Sequence, residues 1–395
     1  MALSELPLSY CTNVHPAQTV REVEDGLDRY TVPVMRAVGG RLAAGLWLAR
    51  SVVTELLKDA AALERFANGI DRRGLSCHTL NAFPYGDFHS ERVKENVYLP
   101  DWTTPERLTY TTDCAAVLAR LLPADVEGSI STMPLGFREF EHPADFLDTC
   151  AHRLVECAKS LAEVREGSGK AIALAIEPEP FCVLETTPQA IDFFKLLWRV
   201  AERTGAAEAV RTHIGLCFDV CHQAVEFEDV AESIRLLDRE GVRINKLHVS
   251  CALQLDDPRN NAEGRAALKR YVEPRYLHQT IAGDANQRLI SAVDLTRELI
   301  DSPDDELLSA DMWRVHFHVP VDAERIGPLR TTRPALKQAL AAVAKLDYAP
   351  HLEVETYTWG VLPGEDKPDL VTGLTRELAA TRALLNELGG SSHAG

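Results

Sequence analysis

Residues 214–222 read IGLCFDVCH, an apolar run at 214–218 followed by Asp219 and, three residues later, by His222. The run is typical of a buried strand. A carboxylate and an imidazole at its end need a partner, because polar groups are costly to bury unpaired. That partner is another protein group, a metal ion or a substrate, and the rest of the sequence has to decide among the three.

Similar short apolar runs alternate along the chain with segments of helical periodicity. Nine of them are candidate strands: 6–11, 42–48, 75–80, 128–133, 171–176, 214–218, 244–250, 314–319 and 352–356. Strands that alternate with helices indicate βα units and parallel pairing. No GxGxxG motif follows the first run, which argues against a dinucleotide-binding sheet. We therefore predict a closed (β/α)8 TIM barrel, which needs about eight strands.

One segment does not fit a simple barrel. Residues 252–312 are largely polar and far longer than an ordinary connection between a helix and a strand. We predict that they form an insertion at the mouth of the barrel, near the C-terminal face, where they act as a lid. The run at 314–319, which follows the insertion, is then the one outside the barrel. Barrel and insertion are predicted to form one domain over residues 1–388, followed by a flexible tail, GGSSHAG, at 389–395.

Bulk composition excludes several classes of partner. With 46% hydrophobic residues in 395, the chain can bury a sizeable core, yet no stretch approaches the roughly 18 consecutive apolar residues of a membrane span. The net charge is −17, from 59 acidic and 42 basic residues, so a nucleic acid would be repelled. The N-terminus lacks the features of an export signal, and the nine cysteines form no CxxC pair. We predict reduced thiols, a cytoplasmic location and a small-molecule substrate; the oligomeric state is left open.

The active site of a parallel barrel lies where its strands end. Glu177 follows the run 171–176, Asp219 follows 214–218, and His248 lies near the end of 244–250. In the last run Glu353 and Glu355 share a face, and we choose Glu355 because it lies nearer the end. Carboxylates and imidazoles that converge on one mouth suit a divalent transition metal such as Zn, Mn or Fe. Glu177, Asp219, His248 and Glu355 are the predicted metal ligands, although Glu177 or Asp219 alone could instead pair with an arginine inside the barrel.

Further histidines lie on or near the predicted strands. His78 falls in the run 75–80, His222 follows Asp219, and His316 and His318 share one face of the run 314–319. We predict that His222, His78 and His316 bind substrate. Alternatively, all four could bind additional metal ions.

Four short motifs resemble the metal motifs of the xylose-isomerase-like TIM barrels. They are Leu174-Ala-Ile-Glu177, Phe218-Asp-Val-Cys-His222, Lys246-Leu-His248 and Val354-Glu355-Thr356. That superfamily includes sugar isomerases and epimerases, inosose dehydratases and phosphodiesterases of the endonuclease IV type. The resemblance implies that Glu177, Asp219, His248 and Glu355 form one metal site and that His222 contacts substrate or a second metal.

The endonuclease type binds additional zinc, and His316-Phe317-His318 and His78 stand at comparable points in the chain order. The sequence departs from that type at the first place of the pair, where His replaces Asp. Over its full length, beginning with LSYCTNVHP, the chain is also similar to the EboE-type metabolite traffic proteins of bacterial ebo gene clusters. This second resemblance implies a role in making or moving a small secondary metabolite or lipid precursor.

These observations favour a metal-dependent isomerase or epimerase that acts on a small polyol or sugar-like metabolite. In this interpretation Glu177 and Glu355 exchange protons with substrate carbon while the ion polarises a carbonyl. One alternative is a multi-metal zinc hydrolase of a small phosphate ester. Another is a metabolite-binding protein without catalytic activity.

Overall fold

The structure is a computed structural model that describes residues 5–284, 289–364 and 367–390. Within these ranges the chain forms fourteen strands: β1 Ser9–Cys11, β2 Ala43–Trp47, β3 Thr79–Asn81, β4 Gly128–Thr132, β5 Ile172–Ile176, β6 Ile214–Asp219, β7 Ile244–Val249, β8 Leu253–Asp256, β9 Thr280–Gly283, β10 Leu289–Ala292, β11 Met312–Val315, β12 Arg325–Ile326, β13 Leu329–Thr331 and β14 His351–Val354. Eight of these, β1–β7 and β14, close into one parallel barrel. The predicted (β/α)8 barrel is confirmed.

Fifteen α-helices connect the strands in the described ranges. They are α1 Val20–Gly26, α2 Val32–Ala37, α3 Arg50–Lys58, α4 Ala60–Arg72, α5 Pro105–Leu121, α6 Phe146–Ser168, α7 Thr187–Arg203, α8 Ala207–His213, α9 Val220–Val225, α10 Val230–Arg239, α11 Ala262–Leu268, α12 Arg297–Asp301, α13 Asp305–Ser309, α14 Arg333–Val343 and α15 Leu370–Gly390. Local chemistry sets their ends: Thr186 and Gln189 form a capping box at the start of α7, which also has a proline in its first turn. Among the described residues, no helix is long and apolar enough to cross a membrane.

The predicted insertion is a folded sheet. Strands β8–β13 form a six-stranded antiparallel sheet in the order β10-β9-β11-β8-β13-β12. Leu253, Leu255 and Trp313 from this sheet are fully buried and belong to the same core as the barrel. The sheet continues past residue 312 to Thr331, so the inserted unit is larger than predicted, and the run at 314–319 begins in it. Its role as a lid stays a prediction.

Two smaller predictions concern the chain end and the cysteines. Gly389 and Gly390, placed in the tail, are the last residues of α15, whereas 391–395 lie outside the described residues. All nine cysteines are buried thiols that form no disulfide.

A charged layer lies inside the barrel, one step below the strand ends. Lys246 Nζ lies 2.7 Å from Glu353 Oε1, and both side chains are fully buried. The ammonium also donates to Ser131 Oγ at 3.2 Å, while Ser9 Oγ donates 3.1 Å to Glu353 Oε2. Burial opposes ionisation, but Lys246 lowers the pKa of Glu353 to about 2, so the pair is charged. Such a pair is tolerated inside a protein only when its members satisfy each other.

Gly45 leaves the space that this carboxylate occupies. A Cβ atom at residue 45 would lie 1.5 Å from Glu353 Oε2 and 2.9 Å from the carbonyl oxygen of Tyr10. Glu353 cannot move aside, since the Lys246 ammonium and the Ser9 hydroxyl hold it. Only a residue without a side chain at this position of β2 therefore leaves room for the Glu353 carboxylate.

We expect Gly45→Ala to lower the free energy of unfolding by about 1–3 kcal/mol or more, as overpacking of a core does. Gly86→Ala is the matched control, because nothing lies within 4 Å of a Cβ atom there. Urea denaturation of both variants measures the effect. Equal stability of Gly45→Ala and the unmodified protein would contradict the close approach of Glu353.

Candidate metal centre

Four predicted ligands meet at the carboxyl ends of neighbouring barrel strands. Glu177 follows β5, Asp219 ends β6, His248 lies near the end of β7, and Glu355 follows β14. His248 Nδ1 lies 3.0 Å from Glu177 Oε1, 3.3 Å from Asp219 Oδ2 and 3.2 Å from Glu355 Oε2. One ligand atom from each of the four lies within 4.8 Å of all the others. We call these four residues the acidic centre.

The charges of the acidic centre are not balanced by hydrogen bonds alone. One imidazole nitrogen faces three carboxylates, and a single N–H can satisfy only one of them. Glu177 Oε2 and Asp219 Oδ2 are buried and have no hydrogen-bond partner in the described part of the chain. Leaving buried carboxylates unpaired is costly. Three carboxylates and one imidazole are a donor set that divalent cations accept, so the residues fit a metal ion.

The pKa values of His248 and Asp219 are shifted by the other charged groups of this site. Burial by itself lowers the pKa of His248, yet Cys217 and the carboxylates of Glu177 and Glu355 raise it well above its usual value. Burial raises the pKa of Asp219, but the neighbouring histidines, His222 first, bring it well below its usual value. A proton on His248 therefore compensates the carboxylates when no cation does. Because a ligand must be deprotonated to bind a metal, protons and metal compete for this centre.

The remaining polar atoms of the ligands are held by other side chains. Asn13 Nδ2 and Asn81 Nδ2 donate to Glu355 Oε1 at 2.9 and 3.0 Å, which leaves Oε2 facing His248. Ser250 Oγ donates 2.8 Å to Asp219 Oδ1, so that Oδ2 faces the centre. Outer hydrogen bonds of this kind orient metal ligands.

Asn13, Asn81 and Ser250 were not predicted from the sequence, although each lies at or just beyond the end of a barrel strand. Glu353, the alternative to Glu355, lies below the centre, with its Oε1 3.5 Å from His248 Nε2. Glu353 thus lies beside His248 Nε2, the ring nitrogen that points away from the other carboxylates, and at the same time forms an ion pair with Lys246. A carboxylate in that position fixes the orientation of a metal-binding imidazole.

His222 is folded back over the mouth of the barrel. Asp219 is the N-cap of α9 and accepts a hydrogen bond from the backbone N–H of His222 at 3.0 Å. The imidazole lies 3.7 Å from Glu177 Oε1 and 4.0 Å from Asp219 Oδ1. The short helix thus places a strand-end carboxylate and a histidine three residues later at the same site.

His222, His316 and His318 form a second group beside the acidic centre, and we call it the histidine cluster. Ring centroids of His316 and His318 lie 4.5 and 5.5 Å from that of His222. In each ring Nδ1 contacts a carbonyl oxygen. His222 Nδ1 lies 3.0 Å from the backbone oxygen of Pro178, His316 Nδ1 lies 2.7 Å from Gln279 Oε1, and His318 Nδ1 lies 2.8 Å from the backbone oxygen of Glu355. Since a carbonyl only accepts, Nδ1 carries a proton in each ring, and a neutral ring then has its lone pair on Nε2.

The Nε2 lone pairs of the histidine cluster are free to bind a cation. His316 Nε2 and His318 Nε2 are buried without a hydrogen-bond partner among the described residues. His222 forms one group of close ligand atoms with Asp219 and His318, and another with Glu179 and His316. The structure therefore brings three of the four additional histidines to the site.

His78 is the exception, and its predicted role at the site is wrong. It precedes β3 and packs against His351 at the other end of the barrel strands, with ring centroids 4.7 Å apart. Burial lowers its pKa to about 4, so it is a neutral residue of the barrel interior. The residue that ends β3 and reaches the acidic centre is Asn81. The strand begins and ends later than the apolar run indicated, and the side chain at its end is an amide.

A small cavity of about 60 Å³ opens directly on both groups. Glu177, Glu355, His222 and His316 form its floor, and Tyr276 and Leu277 of the inserted unit form part of its wall. A site of this size fits a small molecule.

We expect Asp219→Asn to lose metal affinity by more than the roughly 10- to 100-fold that removal of an outer hydrogen-bond partner costs. The fold should persist, because Asn caps a helix as well as Asp does. His222→Ala, the matched variant, should keep the ion of the acidic centre. Calorimetric titration with Zn²⁺ and Mn²⁺ measures both. Full affinity in Asp219→Asn would remove Asp219 from the ligand set, and equal loss in both variants would make His222 a ligand of the same ion.

Comparison with known proteins finds likeness in structure only. No protein-family model matches the chain, and no curated protein matches its sequence. Among similar solved structures, a D-tagatose 3-epimerase-like protein has a TM-score of 0.51 at 11% identity, over 98% of this chain and 100% of that one. The IolI protein with a binding zinc atom has a TM-score of 0.49 at 14% identity, over 97% and 99%.

A xylose isomerase-like TIM barrel protein from Mycobacterium smegmatis in complex with magnesium has a TM-score of 0.47 at 11% identity, over 98% of this chain and 99% of that one. At such identities the likeness shows a shared fold alone. Membership of the EboE-type family stays a prediction. In fold, the chain is similar to the D-tagatose 3-epimerase-like protein.

Proposed function

We propose that the protein is a metal-dependent isomerase or epimerase that acts on a small polyol or sugar-like metabolite. The observation that carries this proposal is the position of two carboxylates, Glu177 and Glu355, in one cavity floor. They follow β5 and β14, and β6 and β7 lie between these strands. A substrate carbon above the centre is thus within reach of a carboxylate on either side, as removal of a proton from one face and its return to the other require.

The four residues of the acidic centre would hold a divalent ion such as Zn, Mn or Fe, which would polarise a substrate carbonyl and stabilise the negative charge that develops on it. Glu177 accepts the proton from the carbon next to that carbonyl through Oε2, which makes no hydrogen bond in the described residues. Glu355, held at Oε1 by Asn13 and Asn81, takes a proton from solvent and returns it to the carbon from the other side, while Glu177 releases its proton to solvent. His222 orients a substrate hydroxyl through Nε2.

This function predicts exchange of a substrate C–H hydrogen with solvent. Protein reconstituted with Mn²⁺ or Zn²⁺ should incorporate deuterium from D2O beside the carbonyl of one or more members of a panel of ketoses, cyclic-polyol ketones and hydroxy-ketones with an apolar substituent, as followed by NMR. Glu355→Gln should lower the rate by roughly 100-fold or more at saturating metal. Glu232→Gln, an exposed carboxylate on α10, is the control. Metal-loaded protein that exchanges no hydrogen with any member would contradict the proposal.

The histidine cluster favours a second candidate, a multi-metal hydrolase of a small phosphate ester. Three imidazoles with Nε2 lone pairs beside Asp219 suit a further ion, and two ions close together can clamp a phosphoryl group. The count of ions separates the two functions. One ion per chain by elemental analysis supports the isomerase, whereas two or more, with hydrolysis of p-nitrophenyl phosphate, support the hydrolase.

The resemblance to the EboE-type proteins suggests that the metabolite belongs to a secondary-metabolite or lipid-precursor route. A binding protein without turnover would retain the ion and the cavity. Such a protein would show ligand binding without hydrogen exchange in the experiment above.

A further inference from the structure

The cavity above the acidic centre has two unlike ends. At the metal end, three lining residues carry a buried polar atom with no hydrogen-bond partner in the described part of the chain: Asn13 Oδ1, Glu177 Oε2 and His316 Nε2. Asn13 donates a hydrogen bond to Glu355 of the acidic centre, and His316 packs on His222 of the histidine cluster, so this end of the cavity lies beside both groups. A ligand that brings several oxygen atoms to this end finds partners for them.

The rest of the lining is largely apolar. It includes three aromatic rings in mutual contact, with centroids 4.9 Å apart for Phe88 and Tyr276, 5.4 Å for Phe88 and Tyr357, and 5.0 Å for Tyr276 and Tyr357. Val97 and Leu277 line the same cavity and are only partly buried. Aromatic faces of this kind bind flat or branched apolar groups. We call these five residues the apolar wall.

Polar side chains beside the apolar wall are already used within the protein. Lys94 Nζ donates to the carbonyl oxygens of Glu273 and Tyr276 at 3.1 and 2.6 Å and to Asp294 Oδ2 at 2.7 Å. These three contacts use all the donors of an ammonium group. Lys94 therefore offers its methylene groups, not its charge, to the cavity.

Two tyrosine hydroxyls near the apolar wall also donate hydrogen bonds to groups of the protein itself. Tyr276 donates to the carbonyl oxygen of Phe88 at 3.1 Å, and Tyr98 donates to Glu179 Oε1 at 2.7 Å. Among the five residues of the apolar wall, only the Tyr357 hydroxyl has no hydrogen-bond partner in the described part of the chain. The hydroxyls of a free sugar, polar along its whole length, would lose water here without enough partners to replace it.

We propose that the substrate joins a polar, metal-chelating head with adjacent oxygen atoms to a small apolar or aromatic body that packs on the apolar wall. This inference rests on the metal centre of the proposed function. It narrows the substrate class from free sugars and polyols to hydroxy-carbonyl compounds that carry an apolar substituent or ring.

Two hydroxamates test the inference, because both chelate a metal through the same pair of oxygen atoms and differ only in the apolar group. Acetohydroxamate has a methyl group and benzohydroxamate has a phenyl ring. On Zn²⁺-loaded protein, calorimetry should show tighter binding of benzohydroxamate by roughly tenfold or more, after correction for the affinities of the two compounds for free Zn²⁺, since burial of the ring is favourable.

Leu277→Ser and Val97→Ser should each reduce that ratio. Both residues are partly exposed, so these substitutions do not open a hole in the core. Val293→Ser is the matched control, because Val293 is 40% exposed in the same inserted unit and does not line the cavity. This control should keep the ratio.

The possible failures are distinguishable. Equal corrected affinities for the two hydroxamates would overturn the inference and leave the metal centre standing. An unchanged ratio in both Leu277→Ser and Val97→Ser would overturn the assignment of the apolar wall. If neither compound binds the metal-loaded protein, no ligand reaches the ion, and both the inference and the proposed function fail.

Discussion

The constraint on which the site depends is electrostatic. Three buried carboxylates converge on one nitrogen of His248 within 3.3 Å. Their mutual repulsion must be offset, and the hydrogen bonds from Asn13, Asn81 and Ser250 satisfy only one oxygen of Glu355 and one of Asp219. Glu177 Oε1, Asp219 Oδ2 and Glu355 Oε2 remain, and each lies within 3.3 Å of His248 Nδ1. A divalent cation is the simplest group that satisfies all of them at once.

The layer below the centre supports this geometry. The Glu353 carboxylate contacts both Lys246 Nζ and His248 Nε2. It occupies space that only a glycine at residue 45 leaves open. The ion pair therefore belongs both to the packing of the barrel interior and to the orientation of a ligand. The same strand, β7, carries Lys246 and His248 two residues apart on one face, so the two layers are linked through the backbone.

The acidic centre could be predicted from the sequence because ligand types and strand ends are enough to locate it. Glu177 and Asp219 directly follow apolar runs, and His248 and Glu355 lie near the ends of theirs. His78 failed because β3 has three residues, Thr79–Asn81, and an apolar run cannot fix the end of so short a strand. The sheet of the inserted unit was missed for a related reason: its strands have two to four residues, which pair across long sequence separations. The hydrogen bonds from Asn13 and Asn81 to Glu355 form only because the closed barrel brings β1 and β3 close to β14. No local sequence pattern predicts that these strands meet.

A crystal structure of the protein soaked in MnCl2, with anomalous diffraction data, tests whether a cation occupies the acidic centre. We expect an anomalous peak bounded by a carboxylate oxygen from each of Glu177, Asp219 and Glu355 and by His248 Nδ1. A peak confined to the histidine cluster, or no peak while Lys246 and Glu353 keep their ion pair, would contradict it.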